Sequence, residues 1–471
     1  MNIKSLKPAF IIAKREVRDQ FRDWRIIIPI LLLTLIFPFL MNFFASQLLS
    51  FVEEYGATII SDRLVPFFLM IVGFFPISVS LVIALETFVG EKERGSIEPL
   101  LNTPLMDWQL YLGKLISATL PPLIASYLGM SVYLLGLMLN HVTLPPLDIM
   151  LQIFTLTTVQ AIMMVSGAVV VSSQATSVRA ANLLASFIII PSALLIQGES
   201  IVMFWGNNGT LWWAVFGLFI LSILLIRVGL AHFIREELLG REIDVLNIKW
   251  GLKTFWVSFS GNRKNIIKWY RWEVFPTLKR LKLPILFISI LAVISVFLGM
   301  DQIKSFHISL DQISVVNMEE NIKVLLEEMP LYSLTPVLLI FWQNVRVILI
   351  AMILGSFSLG VFGPLPVFMT LGVVGYLMAL LQANGIPVES YLLFIVPHGL
   401  VEIPAIVLAS ASILYCGALL ATPDRERTVG EVWLVSQAKL FQIIFGIVIP
   451  LLLVAAFIEA WITPQIVIRL I

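Results

Sequence analysis

Long apolar runs separated by short polar segments organise this chain. Runs lie near 26–50, 64–89, 111–139, 149–173, 181–198 and 209–231, and a polar stretch, 232–282, follows. Five more lie near 284–300, 336–362, 364–383, 391–420 and 440–462. Each is long enough to carry a helix across the hydrocarbon, which takes roughly 17–25 residues. The pattern predicts an all-α polytopic membrane protein with about 11 transmembrane helices, six before the polar stretch and five after it. Its segments are expected to be 1–232, a cytoplasmic linker 233–283, and 284–471.

Ahead of the first run, MNIKSLKPAFIIAKREVRDQFRDWR has apolar residues at helical spacing. Phe10, Ile11, Ala13, Val17, Phe21 and Trp24 can share one face, with Lys14, Arg15, Arg18 and Arg22 around the rest. This predicts an amphipathic helix lying on the membrane surface. The apolar part is too short and too interrupted by charge for a secretory signal.

Composition agrees: of 471 residues, 59% are hydrophobic and 13% charged, far from the soluble balance. The formal net charge of +1 gives no global field for nucleic acid. The single cysteine, Cys416, excludes an internal disulfide framework or a thiolate metal site. Lys and Arg then orient the spans. With the N-terminus in the cytoplasm, only Arg63, Lys304, Lys323, Arg469 and the mid-span Arg346, of 31 Lys and Arg, fall outside cytoplasmic segments. This predicts an external C-terminus.

Trp250, Trp256, Trp269 and Trp272 lie among Lys249, Lys253, Arg263, Lys264, Lys268 and Arg271 in the polar stretch. Aromatics anchor at the bilayer interface and cations contact anionic lipid, so the expected partner is the lipid bilayer and no nucleic acid. The acidic loop from Asp301 to Leu334 contains NMEENIKVLLEEM, which reads as either a short amphipathic helix or a solvated connector.

The segment VGEKERGSIEPLLNTPL, Val89–Leu105, concentrates turn and cap chemistry between two spans. Gly95 permits a backbone angle that other residues resist. Ser96 is expected to cap a helix beginning at Ile97, with Glu98 near its positive end and Pro99 in its first turn. Thr103-Pro104 repeats the start, with Asp107 in the next first turn. The expected product is a cytoplasmic helix–turn–helix elbow.

These residues, EKERGSIEPLLNTPL followed by GKL at Lys114, resemble the signature of ABC type-2 exporter permeases. Ser96 stands where threonine is usual in that family. The resemblance covers about 1–232 and implies that the elbow is a coupling helix docking on a cytoplasmic ABC ATPase. It implies coupling roles for Glu91, Arg94, Gly95, Ser96, Glu98 and Leu101. It also implies a homodimer or a pairing with a related permease. No phosphate-binding G-x-x-x-x-G-K-[ST] occurs in the chain, so Mg-ATP is expected on the partner subunit and no cofactor on this one.

In the second half, His398 and Glu402 are four apart and share a helix face, roughly 10–17 Å deep by helical rise. Arg346 counts to roughly 15 Å in its own span. Ionisable groups at such depth face a partner or a water-filled cavity. The expectation is a buried polar cluster of Asn344, Arg346, His398 and Glu402. Two ligands without a third make no metal site, so none is expected. FWQNVRVILIAMILGSFSLG, Asn384-Gly385 and PHGLVEIPA resemble the stage II sporulation protein M family over about 284–465, which implies a membrane module.

The expected function is a permease subunit of an ABC transporter, an exporter by resemblance, in a prokaryotic cell membrane. The alternatives are an envelope scaffold and an intramembrane enzyme centred on the C-terminal polar cluster. The first half's spans show almost no intramembrane charge, and Glu86 and Arg179 sit near cytoplasmic ends. That favours an amphiphile or a polymer as cargo at least as much as a small ion.

Overall fold

The computed structural model describes residues 3–54, 58–96, 98–99, 102–175, 177–205, 209, 211–231, 233, 248–304, 334–385, 388–422 and 427–470. The protein is all-α, and the described residues contain no strand. Ten described helices are long and apolar enough to cross a membrane. The expected run 181–198 falls within a further helix, Val178–Trp205, some of whose side chains lie outside the description. The chain is therefore a polytopic membrane protein. It divides into two compact units, 1–246 with 421–425, and 247–420 with 426–471.

The first unit contains α1 (Ile3–Gln20), α2 (Trp24–Glu54), α3 (Thr58–Glu93), α4 (Asp107–Leu139), α5 (Leu147–Gln174), α6 (Val178–Trp205) and α7 (Leu211–Ala231). α3 is central and packs against α2, α4, α5 and α6, while α7 packs on α5. α2 leaves a long apolar stripe exposed within this unit, including Leu31, Leu35, Ile36, Phe39 and Phe43. α1 docks on α4. Its docked side is small: Ala9 and Ala13 are buried, and a Cβ on Gly113 would meet the Ala9 carbonyl at 2.9 Å. Phe10, Ile11, Phe21 and Trp24 are exposed. Ala13 thus sits on the docking face, apart from the aromatic residues with which it was grouped.

The second unit contains α8 (Ile248–Ser260), then α9 (Ile266–Trp269) running through a π-helical turn, Tyr270–Val274, into α10 (Phe275–Arg280). α11 (Lys282–Asp301), α12 (Leu334–Phe357), α13 (Leu365–Ala383), α14 (Val388–Leu420) and α15 (Val429–Ile443) follow. A π-helical turn at Ile444–Val448 leads to α16 (Ile449–Phe457), and another at Ile458–Ile462 leads to α17 (Thr463–Leu470). α11 and α13 lie backbone to backbone. A Cβ on Gly299 would fall 2.0 Å from the Gly372 carbonyl oxygen, and one on Gly375 2.1 Å from that of Val296. Small residues allow this approach where no hydrophobic effect drives helices together.

The stretch expected as a linker packs, from Ile248 onward, as part of this unit. α8 lies against α15. Gln442 Nε2 donates to the Ser258 and Phe259 carbonyls at 2.9 and 2.8 Å, and the Tyr270 hydroxyl donates to the Gly446 carbonyl at 2.7 Å. Trp269 Nε1 donates to Phe259 O at 2.8 Å, whereas Trp250, Trp256 and Trp272 remain exposed. The acidic loop helix expected at 317–329 lies outside the described residues.

Candidate functional site

The elbow begins where α3 ends. Gly95 adopts φ +67°, its N–H donates to Lys92 O at 3.2 Å, and the Ser96 N–H donates to Glu91 O at 3.0 Å. These two bonds around a left-handed residue are a Schellman termination, which satisfies the last carbonyls of the helix. No atom would lie within 4 Å of a Cβ on Gly95, so backbone conformation, and not space, calls for glycine there. The Ser96 hydroxyl donates to Glu91 O at 3.4 Å and so serves the helix behind it, where a forward cap was expected. Glu98 and Pro99 are helical, and the Asn102 N–H closes a turn on Glu98 O at 3.0 Å. Ile97, Leu100 and Leu101 lie outside the described residues.

α4 does not start on Thr103-Pro104. Its first residue is Asp107, and the Gln109 side chain reaches back to accept from the Met106 N–H at 3.0 Å. Residues 102–104 are turn and bend and 105–106 are irregular, so the second start is set three residues later than the cap-plus-proline pattern implied.

The predicted coupling residues separate into an inner and an outer set. Arg94, Gly95, Ser96 and Glu98 are exposed. Arg94 lies 3.9 Å from Glu86 in an exposed pair that contributes little. Glu91 points inward. Its carboxylate accepts from Lys114 Nζ, which also donates to Glu16 Oε1 at 3.3 Å. The Lys114 side chain is only 1% exposed. One buried ammonium therefore joins α1, the end of α3 and the start of α4. The Phe88 ring lies 5.8 Å from the same ammonium and packs with Tyr111 and Phe233.

Two neighbours complete the mount. Ser172 Oγ on α5 accepts from the Phe88 and Val89 N–H groups at 3.0 and 3.2 Å. Glu93 Oε1 accepts from the Val178 N–H at 2.7 Å, capping the positive end of α6. The elbow is thus bound to four helices of its unit. Lys114 was visible in the motif, but its partner Glu16 was not singled out. The available signal was an acid among the basic residues of α1, one helical turn beyond the small Ala13 and two beyond Ala9.

In the second unit, His398 Nε2 and Glu402 Oε2 are 4.0 Å apart on α14, with side chains 16% and 14% exposed. The third member is Glu459, in the π-helical turn after α16. One ligating atom from each of the three lies within 4.8 Å of the others. Arg346 is elsewhere: it is exposed, and its Nη2 donates to Gln343 Oε1 at 2.9 Å. Among the described residues neither Arg346 nor Asn344 bonds to His398 or Glu402. The reason is angular. α12 turns Ile348, Ala351 and Met352 inward, and Arg346, two residues before Ile348, stands roughly 200° away from it. Glu459 was missed because one charge in an otherwise apolar run carries no periodic signal.

Comparison with known proteins bears on both units. No curated protein matches the chain. Residues 10–208 match the ABC-2 family transporter protein model, and residues 283–464 match that of Stage II sporulation protein M. The chain therefore joins a region similar to ABC-2 family transporter proteins, which supports a membrane permease of the ABC transporter type, to a region similar to Stage II sporulation protein M.

Proposed function

We propose that this chain is the permease subunit of an exporter in a prokaryotic cell membrane, energised by a separate ABC ATPase that docks on the elbow. Mg-ATP binds and is hydrolysed on that partner. The permease acts as a homodimer or beside a related permease. The observation that carries this reading is the division of the elbow. Arg94, Gly95, Ser96 and Glu98 are exposed, while Glu91 behind them is tied through Lys114 to α1 and α4. A push on the outer set is delivered to the spans because the inner set cannot yield independently.

The test pairs Ser96→Ala with Glu98→Ala in the full chain, expressed with its cognate ATPase. Membrane insertion and detergent-extracted yield should match the parent, while transport and co-purification of the ATPase are lost. Unchanged transport would remove the coupling role from these residues.

A further inference from the structure

The first buried charge cluster is complete in itself; the second is not. In the second, an imidazole and two carboxylates from α14 and the π-helical turn converge, yet no hydrogen bond joins them. His398 Nε2 is 4.0 Å from Glu402, beyond bonding reach, and its Nδ1 is buried without a partner. No described Lys or Arg pairs with either carboxylate. A polar network kept for stability closes its bonds, and a half-closed one costs more than an apolar core. Two carboxylates facing each other inside a span are costly in the absence of a cation.

From this geometry we infer that His398, Glu402 and Glu459 form a binding site for a first-row divalent cation of the Zn²⁺ class. The donor set favours that class: one imidazole nitrogen and two carboxylate oxygens are borderline-to-hard ligands suited to Zn²⁺, Mn²⁺ or Fe²⁺. A +2 ion neutralises both carboxylates at once, which a single lysine cannot do. Three protein ligands leave at least one coordination position for water or a substrate oxygen, as sites with an open position do. Ligand spacing supports a preformed site. At metal–ligand distances of about 2.0–2.2 Å, bound donors lie closer together than 4.8 Å, so small rotamer shifts bring the three atoms in. The π-helical turn contributes by placing Glu459 off the ordinary helical phase, and such turns often mark functional sites. The site lies wholly in the second unit and does not depend on the coupling reading of the elbow.

The full chain, purified in detergent with a histidine-free tag and stripped with chelator, is titrated with Co²⁺ as a spectroscopic stand-in for Zn²⁺. A single saturable equivalent should appear with the visible absorption of bound Co²⁺, and Zn²⁺ should displace it. Glu402→Gln and Glu459→Gln should each weaken binding at least about tenfold, because changes even to groups behind the ligands cost about 10–100-fold. Arg346→Ala should bind like the parent. No saturable binding, or unchanged binding in both Gln variants, overturns the proposal. If the Gln variants do not elute as monodisperse protein, elemental analysis of the parent after dialysis decides. A retained equivalent of zinc supports the site, and a trace amount overturns it.

Discussion

Two buried charge clusters among the described residues are opposites. Around Lys114, one ammonium meets Glu16 and Glu91, and every charge has a partner at bonding distance. Around His398, two carboxylates and an imidazole meet with no bond among them. Both are buried enough that water does little to compensate. The comparison teaches that a charge in a membrane protein has two uses. When its partner is built in, it ties helices together. When its partner is not among the side chains, it recruits one.

Three changes would break or sharpen that contrast. The largest effect is expected from Lys114→Met, which strands two carboxylates against an apolar side chain. Removing one member of a buried ion group costs about 3–5 kcal/mol, so folded yield and thermal midpoint in detergent should both collapse. Retention of the parental midpoint would show that the three-helix tie carries no stability. Second, Glu459→Gln should have the opposite sign. In chelator it relieves carboxylate repulsion and should raise stability by about 1 kcal/mol, within the range by which replacing unfavourable buried charge stabilises. A loss of comparable size in the metal-free state would mean that Glu459 already has a stabilising partner and that the contrast is false. The smallest effect separates backbone from charge within the first region. Gly95→Ala retains all three charges but forces a side chain into the left-handed region, at about 1 kcal/mol. Its thermal midpoint should fall modestly while Glu91 and Lys114 remain paired. A collapse like that of Lys114→Met would make the turn, and not the ion group, the main support.

The spans were legible because crossing a bilayer imposes a length and an apolar composition that few other structures share. The turn at Gly95 was legible for a similar reason, as a local signal read over a few residues, but the caps were not: Ser96 bonds back to Glu91 and the next helix starts at Asp107. What was not legible depends on direction in space. Arg346 was placed with His398 by depth along the span, but depth does not specify which way a side chain points. Glu459 reaches the cluster through a π-helical turn, and an inserted residue shifts the phase on which periodicity arguments rest. The stretch from Ile248 to Arg280 read as lipid-anchoring aromatics because Trp and Lys are suited to an interface. Trp269 and Tyr270 instead bond to backbone carbonyls within the second unit, a choice made by tertiary partners more than a hundred residues away in the case of Gly446.

The tie at Lys114 also has a consequence for the order of assembly. Glu91 and Lys114 are separated by 23 residues, whereas Glu16 and Lys114 are separated by 98. As the chain emerges, α1 is complete before its seat on α4 exists. It must wait while two spans are made, with Phe10 and Ile11 on its free side. α1 is made before the spans it joins yet is among the last of this group to be placed, and its docking, with Ala9 against Gly113 and Glu16 on Lys114, is the step that locks the elbow.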